Sequence, residues 1–163
     1  MSPVARIEDV PAGSREGLTP IIDQSFTGIY RWHAERTLRS VRWVRQAVQG
    51  GAPAGLAMLT TLGQRAGYVY YFAVAPSHRG AGVGGLLLDD ALRVLRAAGA
   101  REVFACARKD NTPSIRLLGS RGFVNTGFRE LARRKGLMAA AALWMRMVVA
   151  PGERVYVKVI IPG

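Results

Sequence analysis

The residues Arg79-Gly80-Ala81-Gly82-Val83-Gly84-Gly85 can do chemistry with their backbone instead of their side chains. Glycine fills four of the six positions from 80 to 85. Such a loop can approach a ligand closely and aim several N–H groups at it. A helix starting at the same place adds roughly half a positive charge there. Loop and helix together make a cradle for a pyrophosphate that needs no phosphate-contacting side chain. The loop ends in Gly84-Gly85-Leu86, so it lacks the Gly-Lys-Ser/Thr ending of a nucleotide-binding P-loop. A dinucleotide-binding loop belongs in the first strand–helix unit of a parallel sheet, with an acid about 20 residues on. Glu102 stands near that spacing, but the strands before the loop read as an antiparallel meander.

The elements around the loop follow from pattern. Residues 67–74 are rich in Val, Tyr and Phe and form the clearest strand in the chain. Two more strands, 41–48 and 54–61, precede it. Gly50-Gly51 lies between those two and supplies the positive φ a hairpin needs. After the loop, Val83, Leu86, Leu87, Ala91, Val94, Leu95 and Ala98 recur at helical spacing up to Gly99. Asp89 and Arg93 can pair on its surface. Residues 102–107 form a short strand, so a parallel crossover is implied. Asn111 can cap a following helix that has Pro113 in its first turn and ends at Gly122. Upstream, 4–10 reads as a first strand and 14–40 as helix broken near Gly28, with Ser14 as its cap. Downstream, 124–133 and 141–149 read as strands joined by a Lys135-Gly136 turn, and 154–161 alternates as one more.

The formal net charge of +12, nearly all arginine, attracts anions such as nucleic acid, acidic lipid or a phosphorylated cofactor. The basic residues are spread along the chain, and no zinc-finger, helix-turn-helix or RNP signature accompanies them, so nucleic-acid binding is not the expected function. The single cysteine, Cys106, excludes an intramolecular disulfide and leaves no Cys-based metal site; it reads as a small apolar strand residue. No run reaches the ~18 apolar residues of a membrane span. The N-terminus carries Glu8 and Asp9 and does not read as a signal peptide. A cytoplasmic location is expected.

The segment 79–84 resembles the Arg/Gln-x-x-Gly-x-Gly/Ala motif of the GNAT family of N-acetyltransferases. Asn111-Thr112-Pro113-Ser114-Ile115-Arg116-Leu117-Leu118-Gly119-Ser120-Arg121-Gly122-Phe123 resembles that family's second block, Asn-x-x-Ala-x-x-Leu-Tyr-x-x-x-Gly-Phe. The likeness is specific over 68–128 and rests on strand order elsewhere.

This resemblance implies a single α/β domain over 1–163, with 150–163 as an extra C-terminal strand. Its sheet is mixed and mostly antiparallel, of about seven strands flanked by helices, with splayed central strands. It implies acetyl-CoA as cosubstrate and no metal. Phe72, Ala73 and Val74 would line the pantetheine arm. Arg79, Gly80, Ala81, Gly82, Val83 and Gly84 would hold the pyrophosphate, with Asn111 and Ser114 near the pantetheine. The implied reaction moves an acetyl group to a primary amine, on a small molecule or a peptide N-terminus. A longer acyl donor, or a catalytically silent acyl-CoA-binding module, is the alternative.

The family's usual acid, a tyrosine, is replaced by Leu118, which has no proton to give, and the catalytic set stays open. Tyr71 or Tyr30 is the most plausible substitute. Tyr68 and Tyr70, like those two, read first as packing groups, His33 as structural, and Trp32 and Trp43 as core. Glu8, Asp23 and Glu35 are acids available to the acceptor side. In the family the strand position of Cys106 sometimes holds a glutamate base. The tail 154–161 should pair with the sheet or with a second subunit, and a homodimer is expected.

Overall fold

The structure is a computed structural model, and it describes residues 4–63 and 65–160. Seven strands form one sheet: β1 (Arg6–Asp9), β2 (Trp43–Gln49), β3 (Ala52–Thr61), β4 (Ala66–Val74), β5 (Glu102–Arg108), β6 (Val124–Thr126) and β7 (Glu153–Val159). Their order is β1-β2-β3-β4-β5-β7-β6. Six α-helices accompany them among the described residues: α1 (Thr19–Ser25), α2 (Gly28–Ser40), α3 (Val83–Ala97), α4 (Thr112–Ser120), α5 (Phe128–Lys135) and α6 (Leu137–Met147). This is the mixed α/β architecture expected. The chain divides into two units, Met1–Thr60 with Tyr71–Val94, and Thr61–Tyr70 with Leu95–Gly163.

In the first unit β1, β2 and β3 pair antiparallel, with Ile7 opposite Ala47 and Val44 opposite Met58. Gly50 and Gly51, at φ 62° and 83°, make the tight turn between β2 and β3. α3 buries Val83, Leu87, Leu88 and Ala91. Leu86, expected on that stripe, is 42% exposed, because the buried face follows 83, 87, 88 and 91 and leaves 86 outside it. Arg93 pairs with Asp90, which also takes Arg45. Burial pushes the Asp90 carboxyl up, but hydrogen bonds from Arg45 and Arg93 outweigh it and hold the group below its ordinary range.

Residues Ala12–Leu18 form a 3₁₀ segment, and its N-cap is Pro11 with no side-chain cap, so Ser14 does not start a helix. Arg15 explains the local fold. It is buried, and its guanidinium donates to the carbonyls of Val10 at 3.3 Å, Leu38 at 3.0 Å and Val41 at 2.8 Å. One side chain thus satisfies the end of β1 and the last turn of α2.

In the second unit β5 pairs parallel with β4 from Ala66↔Glu102 to Val69↔Ala105. On its other side β5 pairs antiparallel with β7 along its whole length, and β7 pairs with β6. The core packs Phe104, Tyr68, Val155 and Val157 with Leu131, Ala140 and Met147.

Two sequence expectations fail in this unit. Only Val124–Thr126 is strand; 128–135 and 137–147 are helices. The Ala139–Ala142 run favours helix, and Gly136 at φ 89° ends α5 instead of turning a hairpin. The tail strand does form, although Ile161 lies outside the described residues. It sits inside the sheet between β5 and β6, so its backbone is paired within the chain and gives no reason for a second subunit.

Candidate functional site

β4 in the first unit ends in a stretch that alternates in burial. Phe72 and Val74 are half-buried, while Ala73 and Ala75 are buried. Ala75 N–H donates to Ala54 O at 2.8 Å and fixes the strand end to β3. The described β4–β5 ladder stops at Val69, and β4 runs on to Val74.

Gly55 on β3 sets the position of this stretch. A Cβ there would lie 2.8 Å from Ala73 O and 2.8 Å from Leu87 Cδ1. Leu87 can yield, but a backbone carbonyl cannot. Gly55→Ala therefore displaces β4 at Ala73, and overpacking of this kind costs about 1–3 kcal/mol. Denaturant melts should show that loss; an unchanged midpoint would mean β4 is not held there. Sequence reasoning passed over Gly55, although a glycine inside an apolar strand is a known sign of close backbone approach.

Beyond the strand, Pro76–His78 makes one 3₁₀ turn and α3 begins at Val83. Gly80 and Gly82 adopt φ of 78° and 80°, and open space lies where a side chain would be. Among the described residues, the N–H groups of Gly80, Ala81, Gly82, Val83 and Gly84 make no short, well-aligned backbone hydrogen bond. Arg79 turns back, its Nε donating to Val74 O at 3.1 Å, so its side chain braces the loop. The arrangement is a concave row of donors on a helix N-terminus, suited to an anionic oxygen cluster.

On the same unit Tyr71 Oη lies 2.7 Å from His33 Nδ1, a hydrogen bond between β4 and α2. Phe26 packs edge-on against Tyr71 with ring centroids 5.3 Å apart. Thr37 Oγ1 donates to the carbonyl of His33 at 2.8 Å. Both Asp23 and Glu35 pair with Arg31, and Glu8 pairs with Arg6. Trp32, expected in the core, is 56% exposed and carries Arg36 over its ring. No local pattern reveals that the outward face of α2 carries it. Trp43 is half-buried, with Arg42 stacked on it at 4.1 Å.

On the second unit Asn111 Oδ1 accepts from Ser114 N–H at 3.2 Å, so Asn111 caps α4 as its sequence position suggests. Leu118 is buried in that helix. Tyr68 donates to Met147 O at 2.9 Å; burial first, then Cys106, raises its pKa well above the ordinary value. Burial raises Tyr70 as well. Tyr68 and Tyr70 therefore stay protonated, Tyr68 buried in the core and Tyr70 half-buried against it.

Burial pushes the Cys106 thiol from 9.0 to about 11, which removes it as a base. Below about pH 9 this two-unit rise leaves roughly 100-fold less thiolate than in the unfolded chain. Iodoacetamide should alkylate native Cys106 slower than the denatured thiol by that factor. Equal rates would show an open, activated cysteine.

Among the described residues no group of His, Cys, Asp and Glu could hold a metal ion, and no helix is long and apolar enough to cross a membrane.

A family model described as "Acetyltransferase (GNAT) family" matches residues 11–123. Ard1 from Thermoplasma volcanium shares the fold with a TM-score of 0.72 at 19% identity, covering 96% of this chain and 98% of its own. The ribosomal-protein-S18-alanine N-acetyltransferase from Escherichia coli superposes with a TM-score of 0.71 at 16% identity, over 98% and 97% of the two chains. A Bacillus subtilis acetyltransferase in complex with CoA gives 0.72 at 15% identity, over 97% and 100%. No curated protein matches the sequence.

Proposed function

Since the chain belongs to the GNAT family of acetyltransferases, we propose that it transfers an acetyl group from acetyl-CoA to a primary amine, on a small molecule or a peptide N-terminus. The observation that carries this reading is the row of N–H groups from Gly80 to Gly84 at the start of α3, with no short, well-aligned backbone acceptor and with two of its glycines in the left-handed conformation. The loop fits the pyrophosphate of CoA by charge, by donor count and by the open space beside Gly80 and Gly82. Phe72 and Val74 offer half-buried side chains to the pantetheine arm. Ala73 is buried and contributes backbone only. Arg79 holds the loop through Val74 O. Asn111, expected near the pantetheine, spends its oxygen on the Ser114 N–H as the cap of α4.

Acetyl-CoA supplies the thioester whose C–S bond breaks as the amine nitrogen bonds to the acetyl carbon. The chain's own part is proton transfer. Leu118 cannot serve, and Tyr71 takes its place as the acid, giving its phenolic proton to the departing sulfur. His33 accepts the proton that the amine sheds at Nε2 and passes its Nδ1 proton to Tyr71 across their 2.7 Å hydrogen bond, so both groups regain their charge and the imidazole is left in its other tautomer, to reset by exchange with water.

A catalytically silent CoA-binding module is the second reading, favoured by Leu118. One experiment separates them: acetyl-CoA is incubated with amines, polyamines, amino acids and peptide N-termini, and free thiol is followed. Acceptor-dependent thiol release supports the enzyme. CoA binding with no release from any acceptor supports the silent module.

A further inference from the structure

The second unit carries an open, solvent-facing depression of about 490 Å³ that the transferase reading does not use. It lies at the N-terminal ends of β4 and β5, whereas the glycine loop follows the C-terminal end of β4. Leu62, Ala66, Ala139 and Leu143 give it apolar walls. Glu102 lines it with a carboxylate whose charge is already spent, held by Lys135 and by Arg134 at 3.4 Å. Two other guanidiniums line it, Arg65 and Arg146, and neither has a carboxylate partner among the described residues. Arg146 lies against the turn at Gly63, where a Cβ would sit 3.9 Å from its Nη1. The Arg65 carbonyl accepts from Arg101 and Glu102, so the backbone beneath its side chain is fixed.

We infer that this depression binds a small anionic amphiphile, a carboxylate, sulfonate or phosphate with an aromatic or short aliphatic body. The anion sits between Arg65 and Arg146, and the apolar body lies on the wall formed by Leu62 and α6. The volume falls within the range of small-ligand sites, which pair apolar walls with a few polar groups of fixed position. Two guanidiniums lining one depression favour a planar or tetrahedral oxyanion.

The test uses 8-anilinonaphthalene-1-sulfonate, titrated by fluorescence into the full chain with saturating CoA present. Saturable binding at one site is expected, unchanged by CoA. The double variant Arg65→Gln/Arg146→Gln should weaken it about tenfold or more, while Arg129→Gln leaves it unchanged. Thermal melts should be the same for all three proteins, since both lining arginines are exposed. Decanoate should compete, and inorganic sulfate at equal concentration should not. Unweakened binding in the double variant, displacement by CoA, or sulfate competing as well as decanoate would each overturn the assignment.

Discussion

Gly84→Asp removes CoA binding while the protein stays folded. Gly84 is the second residue of α3, in its first turn, and its N–H is one of the donor row. An aspartate there suits the helix dipole, so α3 should lose nothing. For the ligand the change is severe. A carboxylate ~4 Å from a phosphate charge costs about 4 kcal/mol at the effective dielectric of a protein surface, which is roughly a thousandfold in affinity. Calorimetry with CoA should register no binding at concentrations that saturate the natural chain, with circular dichroism and melting temperature unchanged. Unaltered affinity in the folded variant would move the pyrophosphate away from this loop.

Tyr71→Phe lowers kcat by about 10² to 10⁴, the usual worth of a general acid. The substitution keeps the ring, its edge-on contact with Phe26 and its place on β4, and deletes only the hydroxyl that meets His33. Acetyl-CoA affinity should therefore hold, and the loss should fall on kcat instead of KM. His33→Gln keeps a polar partner for the phenol but cannot cycle a proton. It should lower kcat by a smaller factor and alter the pH profile, which a merely structural role would not do. If Tyr71→Phe turns over at the natural rate, the sulfur leaves as thiolate and Tyr71 is a wall of the site.

What the sequence disclosed was whatever local pattern encodes. The glycine loop, the strand before it and the helix after it announced themselves by a change of period at Val83. Asn111 declared its capping role by its place before Thr112-Pro113. What stayed hidden depends on partners far apart in the chain. His33 and Tyr71 are 38 positions apart, and Arg45 and Asp90 are 45, so nothing near either member points to the other. The stretch from Phe128 to Met147 was misread for a different reason. Lys135-Gly136 suits both a hairpin turn and a helix end, because each asks only for positive φ, and the tertiary packing of Leu131 and Ala140 decides between them. Gly55 illustrates a third case, in which a residue matters for the atoms it lacks.

The grip of Arg15 makes α2 a fixed post. The guanidinium holds the far end through Leu38 and Val41, whereas the near end leaves Gly28 at φ 56° and carries Ile29, 71% exposed, and Trp32. The near half is held as well, by Arg31 on Asp23 and by His33 on Tyr71. Exposed Ile29 and Trp32 can therefore reshape the proposed acceptor side while the backbone beneath them stays in place. Changes at Ile29 and Trp32 are free to drift toward new amines over evolutionary time, while Arg15 keeps the helix on the molecule.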